Sequence, residues 1–184
     1  MSYLSAVLCS AVVTLAQSPI ISGIARAQDV PKQYTFDDLP TDYLDGHPDW
    51  FKASFLDLRE DLKEALNAGK SGIIIYFGQT HCAYCKAIME ENLSKPDVVE
   101  YVTRHFDVIG LNVFSTEEIT DPEGNTMTVK EYAAREKTHF TPSLIFFGKD
   151  HEKALVLRGY HPAYKMRAAL EYVADGHYQK LSFR

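Results

Sequence analysis

The chain has 184 residues, 46% of them apolar and 24% charged, a balance that excludes disordered and fibrous polymers and argues for one domain with a real core. Its formal net charge of −6 gives it no general attraction for nucleic acid or anionic lipid.

From Leu4 to Ala16 the residues are apolar or small, and no charged side chain precedes Arg26. That run is too short to span a bilayer but suits the apolar region of a signal peptide. Ala25-Arg26-Ala27 places small residues where a signal peptidase reads them, so residues 1–27 are expected to be removed after Ala27 and the protein exported. A buried N-terminal helix or a membrane anchor is the alternative. A lipoprotein is not, because Cys9 follows Ala6-Val7-Leu8 without the Leu-x-small-Cys order. Cleavage takes away Arg26, moving the net charge from −6 to −7, and also Cys9, which leaves Cys82 and Cys85 as the only thiols.

Residues 28–47 are polar and turn-rich and read as an irregular lead; residues 48–184 read as the domain. Pro48 is expected to open a helix carrying Phe51, Phe55, Leu58, Leu62 and Leu66 inward, with Gly69 ending it. Ile73–Phe77, apolar and β-branched between Gly72 and Gly78, predicts a buried central strand. The cysteine pair follows, then a helix interrupted at Lys95-Pro96 and a second helical piece burying Val98, Val99, Val102 and Phe106. A strand is expected over 106–114, and turn-forming residues fill 115–127. A helix from about Val129 to Lys137 leads to Phe140-Thr141-Pro142. Ser143–Phe147 and Ala154–Arg158 read as a hairpin, and a last helix presents Met166, Ala169, Leu170 and Val173 on one face. This order predicts an α/β fold, a central mixed sheet with helices on both faces.

Cys82 stands just after a buried strand and at the start of a helix, where unpaired N–H groups and the helix dipole favour a thiolate. Cys85 lies one turn on, near enough to resolve a mixed disulfide. Structural zinc needs four ligands, and no second CxxC or H-x₃₋₅-H partner exists; haem attachment needs His at position 86, which is Lys. A structural disulfide closing so small a loop would stabilise little. Thr141-Pro142 opens a strand some sixty residues later. The proline is either a plain strand start or a cis-proline that exposes the preceding backbone to a substrate strand.

The stretch Tyr76–Lys86 around the cysteines, Phe140–Phe147 and Arg158-Gly159-Tyr160 resemble the thioredoxin superfamily. The leading helix, the Asp121–Thr128 insertion and the segment from Glu171 to Phe183 resemble SoxW-type exported thioredoxin-related proteins, the likeness spanning about residues 48–184. The resemblance implies a thioredoxin fold with an extra N-terminal helix and periplasmic dithiol–disulfide exchange, Cys82 attacking, Cys85 resolving and Pro142 shaping the docking groove. It implies a monomer without cofactor, reducing protein disulfides with electrons from a membrane dithiol carrier, since no nicotinamide or flavin motif is present. A sulfur-oxidation protein is the client the likeness suggests.

Two departures stand out. The family's Trp-Cys-Gly-Pro-Cys is His81-Cys82-Ala83-Tyr84-Cys85 here, and Tyr76 stands where the family carries a buried Asp six residues before the first cysteine. Water, Glu90 or Glu91 is then left to deprotonate Cys85. His81 reads as a substrate contact or as a third copper ligand beside the two thiols. Thr141 and Tyr84 read as further substrate contacts; Tyr84, Phe140 and Tyr160 either ring the dithiol or pack as core. The remaining histidines, His47, His105, His139, His151, His161 and His177, read as scattered surface or core residues, and the Glu117–Glu123 acids as a solvated loop. A disulfide oxidase or isomerase, and a copper metallochaperone, are the competing functions.

Overall fold

The computed structural model describes residues 47–183. The signal-peptide reading of 1–27, and all of the lead before His47, lie outside the described residues.

The expected helix at Pro48 does not form. Its periodic aromatics serve other ends: Phe51 packs on the rings of His47 and Tyr76, while Phe55 is fully exposed. Ser54 stops any helix here, because its hydroxyl accepts from the Leu56 N–H and donates to Asp61, and Leu56 takes a left-handed φ of +63°. Residues 48–57 instead form a strap along the sheet edge, where the Lys52 N–H bonds the Val108 carbonyl at 2.8 Å. Helix α1 is Leu58–Asn67, capped by the Asp57 carboxylate on the Glu60 N–H at 3.0 Å. It buries Leu58 and Leu62 of the predicted stripe, while Leu66 is only partly buried and Ala65 is buried beside them.

Strand β1, Gly72–Gly78, lies at the centre of a four-stranded sheet with β2, Phe106–Asn112, β5, Ser143–Phe147, and β6, Lys153–Arg158, in the order β2-β1-β5-β6. β1 runs parallel to β2 and antiparallel to β5, so the sheet is mixed. Between them come α2, Ala83–Glu91, and α3, Pro96–His105, the break falling at Lys95-Pro96 because proline suits only the first helical turn. Two short strands, β3 (Glu118–Thr120) and β4 (Thr126–Thr128), precede α4, Val129–Arg135, and α5 is Ala163–Ala174.

Alternation along β1 splits the interior. Ile74 and Tyr76 face a cluster with α2, α3 and α5; Ile73, Ile75 and Phe77 face one with α1 and α4. Helices therefore cover both faces.

The acidic stretch differs from its reading as a solvated loop. Asp121 is fully buried, accepting from the Asn125 backbone at 2.7 Å and its side chain at 2.9 Å, and pairing with Arg135 at 2.6 Å. Burial opposes its charge, but those bonds and the guanidinium outweigh burial and hold its pKa below the ordinary range. The turn they build closes the β3–β4 hairpin, which the sequence reading left as turn alone.

Candidate active site

The topology brings four strand ends to one rim of the sheet. Gly78 is opposite Asn112, Phe77 is opposite Ser143, and Ser143 is opposite Arg158. The segments leaving or entering those ends are Gln79–Cys82, Val113-Phe114, Phe140-Thr141-Pro142 and Gly159-Tyr160.

Cys82 is the N-cap of α2 and is joined to Cys85 in a disulfide, with Cα atoms 5.1 Å apart. The chain reaches it through His81, whose left-handed φ of +58° turns β1 into α2. Two donors converge on the Cys82 sulfur: the Cys85 N–H at 3.1 Å and the Thr141 hydroxyl at 3.3 Å. The first is the capping bond that a helix start offers any acceptor. The second comes from a loop 59 residues away in sequence and was missed by the reading of Thr141 as a substrate contact. A neutral disulfide sulfur uses such donors weakly, whereas a thiolate gains most from them. Cys82 is 6% exposed and Cys85 1%, so both are buried and the first is the more accessible of the two.

The Thr141–Pro142 bond is cis. Pairing of β5 begins at Ser143, leaving Thr141 outside the ladder. The loop is tied on both sides. Ser143 donates to the Phe140 carbonyl, the Gly159 N–H bonds the Pro142 carbonyl at 2.8 Å, and Arg158 bonds the carbonyls of Lys137 and Glu136, each at 3.0 Å.

Around the sulfur, Tyr84 is 63% exposed and Phe140 67%, so neither is core. Tyr84 lies 6.1 Å from the ring of Tyr160, whose hydroxyl donates to Glu91. Burial and that carboxylate push the Tyr160 phenol up to about 12, keeping it a neutral donor. His81 is exposed, as is His139, whose ring lies tilted against Phe140 at 4.9 Å. Among the described residues no three His, Cys, Asp or Glu side chains gather to hold a metal ion, and no helix is long and apolar enough to cross a membrane.

Tyr76 is buried against the cluster that holds both cysteines, its hydroxyl lying over Gly78. His47, read from sequence as unremarkable, meets its ring edge-on at 5.7 Å. The signal that could have revealed this placement is Gly110, a glycine inside a strand, which marks a close approach.

The family of thioredoxin-like domains matches residues 58–174. Among solved structures, a thioredoxin-fold protein from Helicobacter pylori is 22% identical, covering 73% of this chain and 83% of that one, with a TM-score of 0.60. A thioredoxin from Thermus thermophilus is 26% identical, covering 70% of this chain and 95% of that one, with a TM-score of 0.50. No curated protein matches the chain.

Proposed function

Because the chain belongs to the family of thioredoxin-like domains, we propose that it is a thiol–disulfide oxidoreductase that is exported and reduces protein disulfides through Cys82 and Cys85. The observation that carries this reading is the pair of donors, the Cys85 N–H and the Thr141 hydroxyl, already aimed at the Cys82 sulfur. They favour the charged form of Cys82 over that of Cys85, which supports Cys82 as the attacking sulfur.

In the reduced protein the Cys82 thiolate attacks one sulfur of a client disulfide. The client S–S bond breaks, one client sulfur leaves as a thiolate and takes up a proton, and a mixed disulfide remains. Cys85 then loses its proton and bonds the Cys82 sulfur, releasing the second client thiolate. Two electrons have moved from the dithiol to the client, and the protein is left oxidised. A membrane dithiol carrier restores it, since the sequence holds no nicotinamide or flavin motif. The backbone of Thr141 and the faces of Pro142, Tyr84 and His81 receive the client chain. Export rests on the apolar run of residues 4–16, and a sulfur-oxidation client on the SoxW-type likeness alone.

Insulin-disulfide reduction by the mature chain, with Cys82→Ser and Cys85→Ser as controls, tests the chemistry. The equilibrium potential tests the direction. A value of about −250 mV or below supports a reductase, and one near about −120 mV makes the protein an oxidase.

A further inference from the structure

The chain as a whole is acidic, with a formal net charge of −6, yet the loop that carries Thr141 is edged by cations. Within residues 136–142 the formally charged side chains are Glu136 and Lys137. Glu136 is met by Lys153 and, at 3.5 Å, by Arg135, so it gives the loop little negative field. Lys137 is exposed, and among the described residues it pairs with no carboxylate.

Arg158 stands opposite Ser143, the residue after Pro142, in the β5–β6 ladder. Its Nε and Nη2 donate to the carbonyls of Lys137 and Glu136, each at 3.0 Å, where α4 ends. Neutral carbonyls fix the guanidinium without cancelling its charge. Capping α4 accounts for these two donors and leaves Nη1 over. The side chain is exposed, and no carboxylate among the described residues pairs with it.

The acids of this rim lie on other sides. Glu91 accepts from Tyr160, beside α2. Glu117 and Glu118 follow β2, the far edge of the order β2-β1-β5-β6. Three strand spacings put β2 about 14 Å from β6, beyond a screening length of about 8–10 Å. A chain lying along Thr141 therefore meets positive potential on its β6 side.

We propose that Arg158 and Lys137 form a subsite for a carboxylate of the client, so that disulfides whose cysteine is flanked by Asp or Glu are reduced preferentially. The inference rests on the exchange chemistry proposed above and names the class of client it acts on. Exposed ion pairs usually contribute little, because two long side chains must be fixed at once. Here the guanidinium is fixed beforehand, and the attraction acts mainly on the rate of encounter.

Symmetric disulfides of short peptides with Asp, Asn or Lys around the cysteine test this. Quenched flow gives the rate constant with the reduced protein, each divided by that peptide's rate with dithiothreitol. At about 20 mM salt the Asp peptide should react about fivefold faster than the Asn peptide and the Lys peptide slower still, the Asp/Asn ratio falling below about twofold at about 1 M. Lys137→Glu should bring that ratio to about one. Arg158→Gln should lower it about threefold and Arg158→Lys restore part of it, whereas a purely structural role for Arg158 would slow all three peptides alike. Lys149→Glu, in the β5–β6 turn at the opposite end of the sheet, makes the same change in net charge and should keep the parental ratio. A parental ratio of one, a ratio that survives Lys137→Glu, or an equal loss in Lys149→Glu overturns the proposal while leaving the exchange chemistry standing. Reduction of none of the peptides overturns both.

Discussion

Replacing Thr141 by Val keeps the branched shape and deletes the hydroxyl that reaches the Cys82 sulfur at 3.3 Å. A hydrogen bond to a charged acceptor contributes about 1.5–3 kcal/mol. Sulfur is a weak acceptor and Thr141 is only half-buried, so the low end applies, about 1.5 kcal/mol, or about one pKa unit. The Cys82 pKa should therefore rise by about one unit in Thr141→Val. At a pH below both values the thiolate fraction falls about tenfold, while the more basic thiolate regains part of that as nucleophilicity, leaving attack about threefold slower. Alkylation by iodoacetamide across pH 4–10, in a Cys85→Ser background, reads the pKa directly. The same background with Thr141 intact gives the reference. An unchanged Cys82 pKa in a variant whose melting temperature is also unchanged refutes the reasoning, because it leaves the hydroxyl without influence on the ion.

Cys85→Ser should accumulate mixed disulfides with client proteins on non-reducing gels and Cys82→Ser should not; equal trapping by both reverses the order of attack. The Tyr132 hydroxyl is buried with no hydrogen-bond partner among the described residues, so Tyr132→Phe is expected to stabilise the fold by about 1 kcal/mol in urea titrations. A loss of stability there would show that the hydroxyl is satisfied. Asp121→Asn should cost about 2 kcal/mol at pH 7, less than a wholly buried pair because Arg135 is partly exposed. Since the folded pKa of Asp121 is depressed, its contribution is complete above the unfolded value of 3.8 and is lost as pH falls through the folded value. Denaturation curves of the two proteins should thus converge in acid, and a gap that persists there would assign the cost to packing.

Much of this was legible in the chain itself, where local pattern and tertiary context agree. Ile73–Phe77 could only be an interior strand, and Lys95-Pro96 could only break a helix. The stripe from Phe51 to Leu66 misled because its first half matches helical spacing by coincidence. The Ser54 hydroxyl's bonds to Leu56 and Asp61, and the left-handed Leu56, override the pattern, and no periodicity reports them. The β3–β4 hairpin escaped because three-residue strands are too short to show alternation, although its turn was read. At the site, Cys82, Cys85 and Pro142 announced themselves by residue type and spacing. The contact of Thr141 with the sulfur and the seat of His47 over Gly110 did not, since each joins residues 59 or more positions apart.

The bonds that fix Phe140, Thr141 and Pro142 have a thermodynamic consequence for recognition. Ordering a flexible backbone costs about 1–2 kcal/mol per residue in conformational entropy. Here Ser143, Gly159 and Arg158 already hold that stretch and its approach, so docking would require little further ordering from the protein. The whole penalty would then fall on the client, and it differs between clients. A loosely structured segment around a cysteine loses freedom on docking, while a segment already extended in a folded partner loses almost none. Selectivity would thus follow the client's rigidity as well as its sequence.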